Sequence, residues 1–289
     1  MGLLSNSASG NNDPHRYADI VDEKWKVNYI MPPILENKHH DRPSVFEPAS
    51  LLREARRQKS LPAGDVPDIC VLDPDGDLSR HLMQAGARRN PYWACYHTDL
   101  YDLDLDGTTV GVLGCAVGAA FAVLVAEELF ASGCRLLISV TSAGQILPAG
   151  QPPYFVLVDR ALRDEGTSYH YLPRAPYARI GAEALSLGRA ALRASANIVQ
   201  GGVWTTDAPF RETAEAIAFA RSENLLAVEM EAAALYALAE AKSYPIICFA
   251  HVTNQMGVNE NDFEKGESDG NTAFVRLISL IAQARRAKP

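Results

Sequence analysis

A chain of 289 residues with 47% hydrophobic and 21% charged side chains can bury a core without disulfides or metal ions. Its 27 Lys and Arg against 35 Asp and Glu give a net charge of −8 with no extended basic run, which excludes nucleic-acid binding by phosphate neutralisation. The five cysteines, Cys70, Cys95, Cys115, Cys134 and Cys248, are scattered and form no CxxC pair, so they read as free thiols of a reducing compartment. Residues 1–12 are polar and lack the apolar stretch of a secretory signal, and the chain reads as cytoplasmic.

Residues 1–60 read as a polar extension, broken by Pro14, Pro32, Pro33 and Pro43, that ends in a short amphipathic helix over 50–59. Its His39-His40 pair has no third ligand at metal spacing, and no metal site is expected. Residues 61–289 read as one α/β domain. Apolar β-type runs fall at 68–72, 108–113, 135–140, 154–158, 198–203 and 246–252. Helical patterns fall at 78–85, 121–132, 182–194, 211–222, 228–241 and 272–284. The alternation predicts a three-layer α/β/α sandwich around a mixed, largely parallel central sheet. The apolar stretch around 110–125 is broken by glycines and ends in Glu127-Glu128, so it reads as a buried strand and helix, not a membrane span.

Several stretches carry candidate chemistry. Gly111, Gly114 and Gly118 punctuate a strand-to-helix turn, which either cradles an anion at a helix N-terminus or packs helix on sheet. The spacing is neither a Walker A nor a dinucleotide fingerprint. Ser139-Val-Thr-Ser-Ala-Gly144 puts hydroxyls at the carboxyl end of a strand, where open α/β sheets bind ligands. Tyr169, His170 and Tyr171 offer either a stacking face for a heterocycle or a surface turn. Arg211, in 204–212, is a ligand donor or an ordinary first-turn residue. In Ala227-Val-Glu-Met-Glu-Ala-Ala-Ala234 two carboxylates flank a methionine at a helix start. They favour the positive helix end, or Glu231 holds a polyol while Met230 packs on its apolar face.

Together the stretches VGVLGCAVGAAFAVLVAEELFASGCRLLISVTSAGQIL, LRDEGTSYHYLP, TTDAPFRE, AVEMEAAALYALAE and FAHVTN resemble the nucleoside phosphorylase and uridine phosphorylase family, over residues 66–289 and in the family's order. The resemblance implies an enzyme that breaks the N-glycosidic bond of a nucleoside, with phosphate or water attacking C1′. It implies a ribose site at Glu229, Met230 and Glu231, with Glu231 also favouring the cationic sugar of the transition state. It implies a base site at Tyr169, His170, Thr206, Asp207 and Arg211, and a phosphate or nucleophile pocket at Gly114, Ser139 and Ser142. Asn254 stands where purine-cleaving members carry a catalytic Asp, and it cannot deliver a proton. No cofactor is implied, inorganic phosphate being a co-substrate. The implied partner is a small-molecule nucleoside, with no nucleic acid and no membrane. The implied assembly is a homo-oligomer built on dimers, as a trimer or hexamer class, with residues 1–45 packing across a subunit interface.

The sequence departs from the family's Gly-Asp-Pro-x-Arg loop. In Val71-Leu-Asp-Pro-Asp-Gly-Asp-Leu78, Pro74 and Leu78 replace the expected glycine and arginine, and Asp73, Asp75 and Asp77 repel anions. Ser139 replaces a second arginine. Arg80, Arg88, Arg89 and Arg163 are the remaining candidates for an anion site. The alternatives to phosphorolysis are therefore a nucleosidase on the same scaffold or a non-catalytic nucleoside-binding or storage relative.

Overall fold

The computed structural model describes residues 31–195, 197–256 and 262–287, so residues 1–30 of the expected extension lie outside the described residues. In chain order the elements are α1 (Pro48–Lys59), β1 (Ile69–Asp73), α2 (Asp77–Gln84), β2 (Leu100–Leu105), β3 (Thr108–Gly114), α3 (Ala119–Ala131), β4 (Leu136–Gln145) and β5 (Tyr154–Asp164). There follow β6 (Tyr177–Arg179), α4 (Ala182–Ala194), β7 (Ile198–Thr206), α5 (Ala214–Ser222), β8 (Leu225–Glu229), α6 (Ala232–Lys242), β9 (Ile246–Asn254) and α7 (Asn271–Arg286).

The α/β class and the mixed central sheet are as the sequence implies. Helices α1, α3 and α6 pack together on one side, and α2, α4 and α7 on the other. Parallel pairings join β1 to β3 and β4, β4 to β9, and β7 to β5 and β8. Antiparallel pairings join β2 to β3, β4 to β8, β5 to β6, and β5 to β9. Strands β4, β9, β5, β7 and β8 therefore close into a ring, while β1, β3 and β2 extend from β4 as an open wing. Closure removes the edges of that half and brings several strand ends to one place.

Three details differ from the sequence pattern. The helix expected from residue 228 starts at Ala232, because Leu225–Glu229 is a strand between β7 and β4. Its Leu-Leu-Ala-Val composition runs straight into the Ala-rich helix, and burial between two strands overrides helix propensity. The helix expected from 211 starts at Ala214, where the Thr213 hydroxyl accepts the Ala216 N–H at 3.3 Å, after a 3₁₀ turn opened by Pro209. Strand β2 carries Asp102 and Asp104 and shows little apolar signal; it is held as an edge strand against β3, with Asp102 accepting from Asn90 at 2.8 Å. Among the described residues no helix is long and apolar enough to cross a membrane.

Candidate active site

The loops after β1 and β3, the end of β4 and the start of α6 meet around Glu231. Gly118, with φ of 87°, opens α3 and donates its N–H to Glu231 Oε1 at 2.6 Å. The other oxygen, Oε2, is buried and has no hydrogen-bond partner. Burial first, and the neighbouring Glu229 charge second, push the Glu231 carboxyl up to about 8, while Gly118 and the Thr141 hydroxyl favour its charged form. A buried carboxylate oxygen with nothing to accept from is costly unless a ligand donor completes it. Two vicinal sugar hydroxyls are such donors.

Glu229 is used differently. Its Oε2 accepts the N–H groups of Glu231 and Ala232, each at 2.7 Å, and its Oε1 accepts from the Thr205 hydroxyl. Thr205 Oγ1 in turn accepts the Ala233 N–H at 3.0 Å. Glu229 thus caps α6 and fixes the turn that presents Glu231, with both of its oxygens engaged inside the protein. Met230 lies between two buried glutamates and is itself partly exposed, consistent with a side chain left to face a ligand.

The turn after β1 meets the end of β4. Asp73 caps α2, accepting from Gly76 N at 3.2 Å and Ser79 N at 2.9 Å, and burial raises its carboxyl to about 6. Asp75 points inward instead: its Oδ2 accepts the backbone N–H of Ser142 at 2.7 Å. Gly114 allows this arrangement. A Cβ there would lie 1.9 Å from Ser79 Oγ and 3.2 Å from Gly76 Cα, so only glycine lets the β1–α2 turn rest on the end of β3.

The residues that replace expected phosphate ligands are placed accordingly. Leu78 is fully buried, Pro74 is buried, and Ser139 is buried mid-strand between Leu72 and Cys248. Ser139 lies ~10 Å along β4 from Ser142, beyond the reach of a serine side chain, so it does not join the pocket as the resemblance implies. Arg80 donates to Asp77 at 2.7 Å and to the Asp75 carbonyl at 2.8 Å. Arg88 pairs with Asp102 and Arg89 with Asp99. Arg163 is buried, donating to Ser168 Oγ at 2.8 Å and to the carbonyls of Pro173 and Leu172.

The expected base-binding loop is tied down at several points. Tyr169 stacks on the Arg163 guanidinium, 4.4 Å from ring centre to Cζ, and donates to the Arg163 carbonyl at 3.2 Å. His170 is exposed and bonds Lys38 at 3.1 Å, and His40 bonds the Tyr169 carbonyl at 3.2 Å. Residues 33–40 thus lie along this loop of their own chain. Asp207 accepts the Gly166 N–H at 2.8 Å, which joins the 165–170 turn to the end of β7. Thr206 Oγ1 accepts from Ala208 N at 3.2 Å, and the Arg211 side chain is exposed. Asn254 accepts from Met256 N at 3.0 Å, while its NH₂ makes only long contacts, 3.3 Å to Thr253 Oγ1 and 3.5 Å to the Ala143 carbonyl. That amide has donor capacity to spare at the end of β9.

The family model described as the phosphorylase superfamily matches residues 68–283. The chain belongs to the phosphorylase superfamily. It is 30% identical over 232 residues to the guanosine phosphorylase of Halorubrum lacusprofundi, covering 76% of this chain and 94% of the relative. Uridine phosphorylase from Vibrio fischeri ES114 shares the fold at a TM-score of 0.65 and 18% identity, over 76% of this chain and 92% of its own. The 5′-methylthioadenosine/S-adenosylhomocysteine nucleosidase of Neisseria meningitidis does so at 0.61 and 17%, over 76% of this chain and all of its own. A phosphorylase and a nucleosidase thus share this fold almost equally.

One residue of this superfamily member escapes a sequence reading of the site. Asp75 looks like one of three loop acids until the fold places it on Ser142. Among the described residues no group of three His, Cys, Asp or Glu side chains converges as a metal set.

Proposed function

We propose that this protein cleaves the N-glycosidic bond of a nucleoside with water, and not phosphate, as the acceptor. The observation that carries the reading is the Asp75 carboxylate on the Ser142 N–H, 2.7 Å away, where the family's anion pocket would need a free donor. Asp77 is paired with Arg80 and Lys265 and Asp73 is buried in the α2 cap, so Asp75 is the carboxylate that a phosphate dianion entering there would meet, with the backbone donor already taken. Asp75 Oδ2 is engaged, which leaves Oδ1 to hold a water molecule.

Glu231 accepts two ribose hydroxyls and Met230 lies beneath the sugar. The Gly118 N–H and the hydroxyls then hold Glu231 ionised, and its charge stabilises the oxocarbenium-like ribose. As the C1′–N bond breaks, its electron pair leaves with the base, which takes a proton from solvent. The water oxygen bonds to C1′ and gives a proton to Asp75, so the products are free base and ribose. The Asn254 amide hydrogen-bonds the departing base, with Thr206, Asp207 and Arg211 towards its edge. Tyr169 and His170 act by shaping this loop. The enzyme works as a homo-oligomer in the cytoplasm.

Phosphorolysis is the second reading. It is favoured by Arg80, which lies on the Asp75 turn and would meet an anion if Asp75 swung out, and by the name of the guanosine phosphorylase relative. The test is release of free base from a nucleoside panel with and without phosphate, followed by chromatography. Release that is independent of phosphate and gives ribose supports hydrolysis. Release that requires phosphate and gives ribose 1-phosphate overturns it.

A further inference from the structure

His251 on β9 lies on the side of the sheet covered by α4 and α7, opposite the helix that Glu231 opens. Its ring stacks on Phe155 with centroids 4.4 Å apart and meets the edge of Phe274, on α7, at 6.1 Å. The residue is 3% exposed, and among the described residues neither ring nitrogen has a hydrogen-bond partner. Burial first, and the Lys265 charge second, lower the imidazole to about 4, so at neutral pH it offers one donor and one acceptor, both unmet. Leaving such groups unpaired inside a protein is costly unless a ligand or water completes them.

The ring forms part of the wall of a cavity of about 250 Å³, smaller than the ~300–1,000 Å³ of sites for drug-sized ligands. Phe155, Ile198, Leu277 and Leu280 make its apolar lining. Its cations are Lys265 and Arg276. Lys265 donates to Asp77 and keeps further donors, and Arg276 is exposed and pairs with no acid among the described residues. Thr272 and Ala273 also line the cavity, so the first turn of α7 opens on it, and no side chain caps that helix at Gly270. Glu267, an exposed residue, is the acid among the lining side chains.

From these features we infer that the cavity is a second ligand site, separate from the nucleoside site, which takes a small carboxylate with an apolar body. The carboxylate accepts from the His251 N–H and pairs with Lys265 and Arg276 at the positive end of α7, while the body packs on Phe155 and the two leucines. A bare anion or a neutral apolar molecule satisfies only half of this lining. The contact between Lys265 and Asp77 joins the cavity to the turn that carries Asp75. The inference rests on the cavity's own residues and does not depend on whether water or phosphate is the acceptor.

Isothermal titration of the full chain with benzoate tests it. Saturable binding with a Kd of ~1 mM or tighter is expected, with acetate and benzyl alcohol each at least ~10-fold weaker. Arg276→Glu, a surface change, and His251→Phe, which keeps the ring stack, are each expected to weaken benzoate at least ~5-fold at unchanged far-UV circular dichroism. Glu231→Gln leaves benzoate at its wild-type affinity. Either cavity variant suffices if the other misfolds. No saturable benzoate binding overturns the inference, as does benzyl alcohol bound as tightly as benzoate, or wild-type affinity in both cavity variants. Benzoate binding lost in Glu231→Gln overturns it too, because the acid would then occupy the nucleoside site.

Discussion

The Asp75 carboxylate and the Ser142 backbone N–H, 67 residues apart in sequence, are 2.7 Å apart in the folded chain. An acid supplied by the protein thus occupies that backbone donor. In the proposed reaction the consequence is chemical, because a fixed negative charge disfavours a phosphate dianion but not a neutral water molecule.

Asp75→Ala separates the two acceptors. It removes the group proposed to take the proton from water, and phosphate-independent turnover is expected to fall by ~100-fold or more. The same change frees the Ser142 N–H, so turnover with added phosphate falls less. Assay of both activities on one preparation checks this, and equal loss with and without phosphate would show that Asp75 has no part in choosing the acceptor.

Glu231→Gln keeps the shape and the Gly118 contact but removes the charge that favours the cationic sugar. Turnover is expected to fall at least ~10-fold, equivalent to about 1.4 kcal/mol. Steady-state kinetics on any accepted nucleoside decides it; a wild-type kcat means that Glu231 is not the ribose ligand.

The pH dependence of stability follows from the same residue. Folding raises the Glu231 carboxyl from 4.5 to about 8, so the folded chain keeps a proton that the unfolded chain has released. Stability is therefore lost as pH rises towards about 8 and regained as it falls. His251 acts in the opposite sense. Its burial lowers the imidazole from 6.5 to about 4, so stability is lost as pH falls through that interval. Burial likewise raises the Glu229 carboxyl to about 7, in the same sense as Glu231. Above about 6.5 the two glutamates act without the opposition of His251, and the melting temperature is expected to decline as pH rises to about 8. Glu231→Gln should flatten the decline and stabilise the protein at the upper end by about 1 kcal/mol or more, roughly 2–4 °C. Thermal melts across that interval are the measurement, and identical slopes for the two proteins would contradict it.

Glu229→Ala should behave as a structural change. It strips two N–H groups of α6 and the Thr205 hydroxyl of their acceptor, at a cost of ~1–3 kcal/mol. Urea unfolding is expected to show that loss. An unchanged midpoint together with a large rise in KM would make Glu229 a direct sugar ligand instead.

Gly114→Ala should dislodge the nucleophile turn. The added methyl meets Ser79 Oγ at 1.9 Å, so destabilisation of ~1–3 kcal/mol is expected along with loss of turnover. Adding Ser79→Gly removes the nearest obstacle and should restore most of the stability. A single variant as stable as wild type would mean that the turn has room to move.

The sequence by itself determined the kind of fold and the family. Short apolar runs alternating with helical patterns specify α/β layers because burial of a period-two or period-3.6 face is a local property of the chain. The Val-Glu-Met-Glu stretch likewise singled out the proposed sugar site, since both acids and the methionine sit together in sequence. What it could not separate was the division of labour within that stretch. Glu229 caps and Glu231 waits for a donor only because β8 ends at Glu229 and α6 begins at Ala232, a boundary set by pairing with β4 and β7. Ser139 looked like a pocket residue by its position in the family's strand, whereas the depth of β4 in the sheet places it too far away. The role of Asp75 was decided by tertiary structure alone. Its direction depends on a glycine at the end of β3 that lets one turn settle against another strand, and contacts of that kind join residues that the sequence keeps far apart.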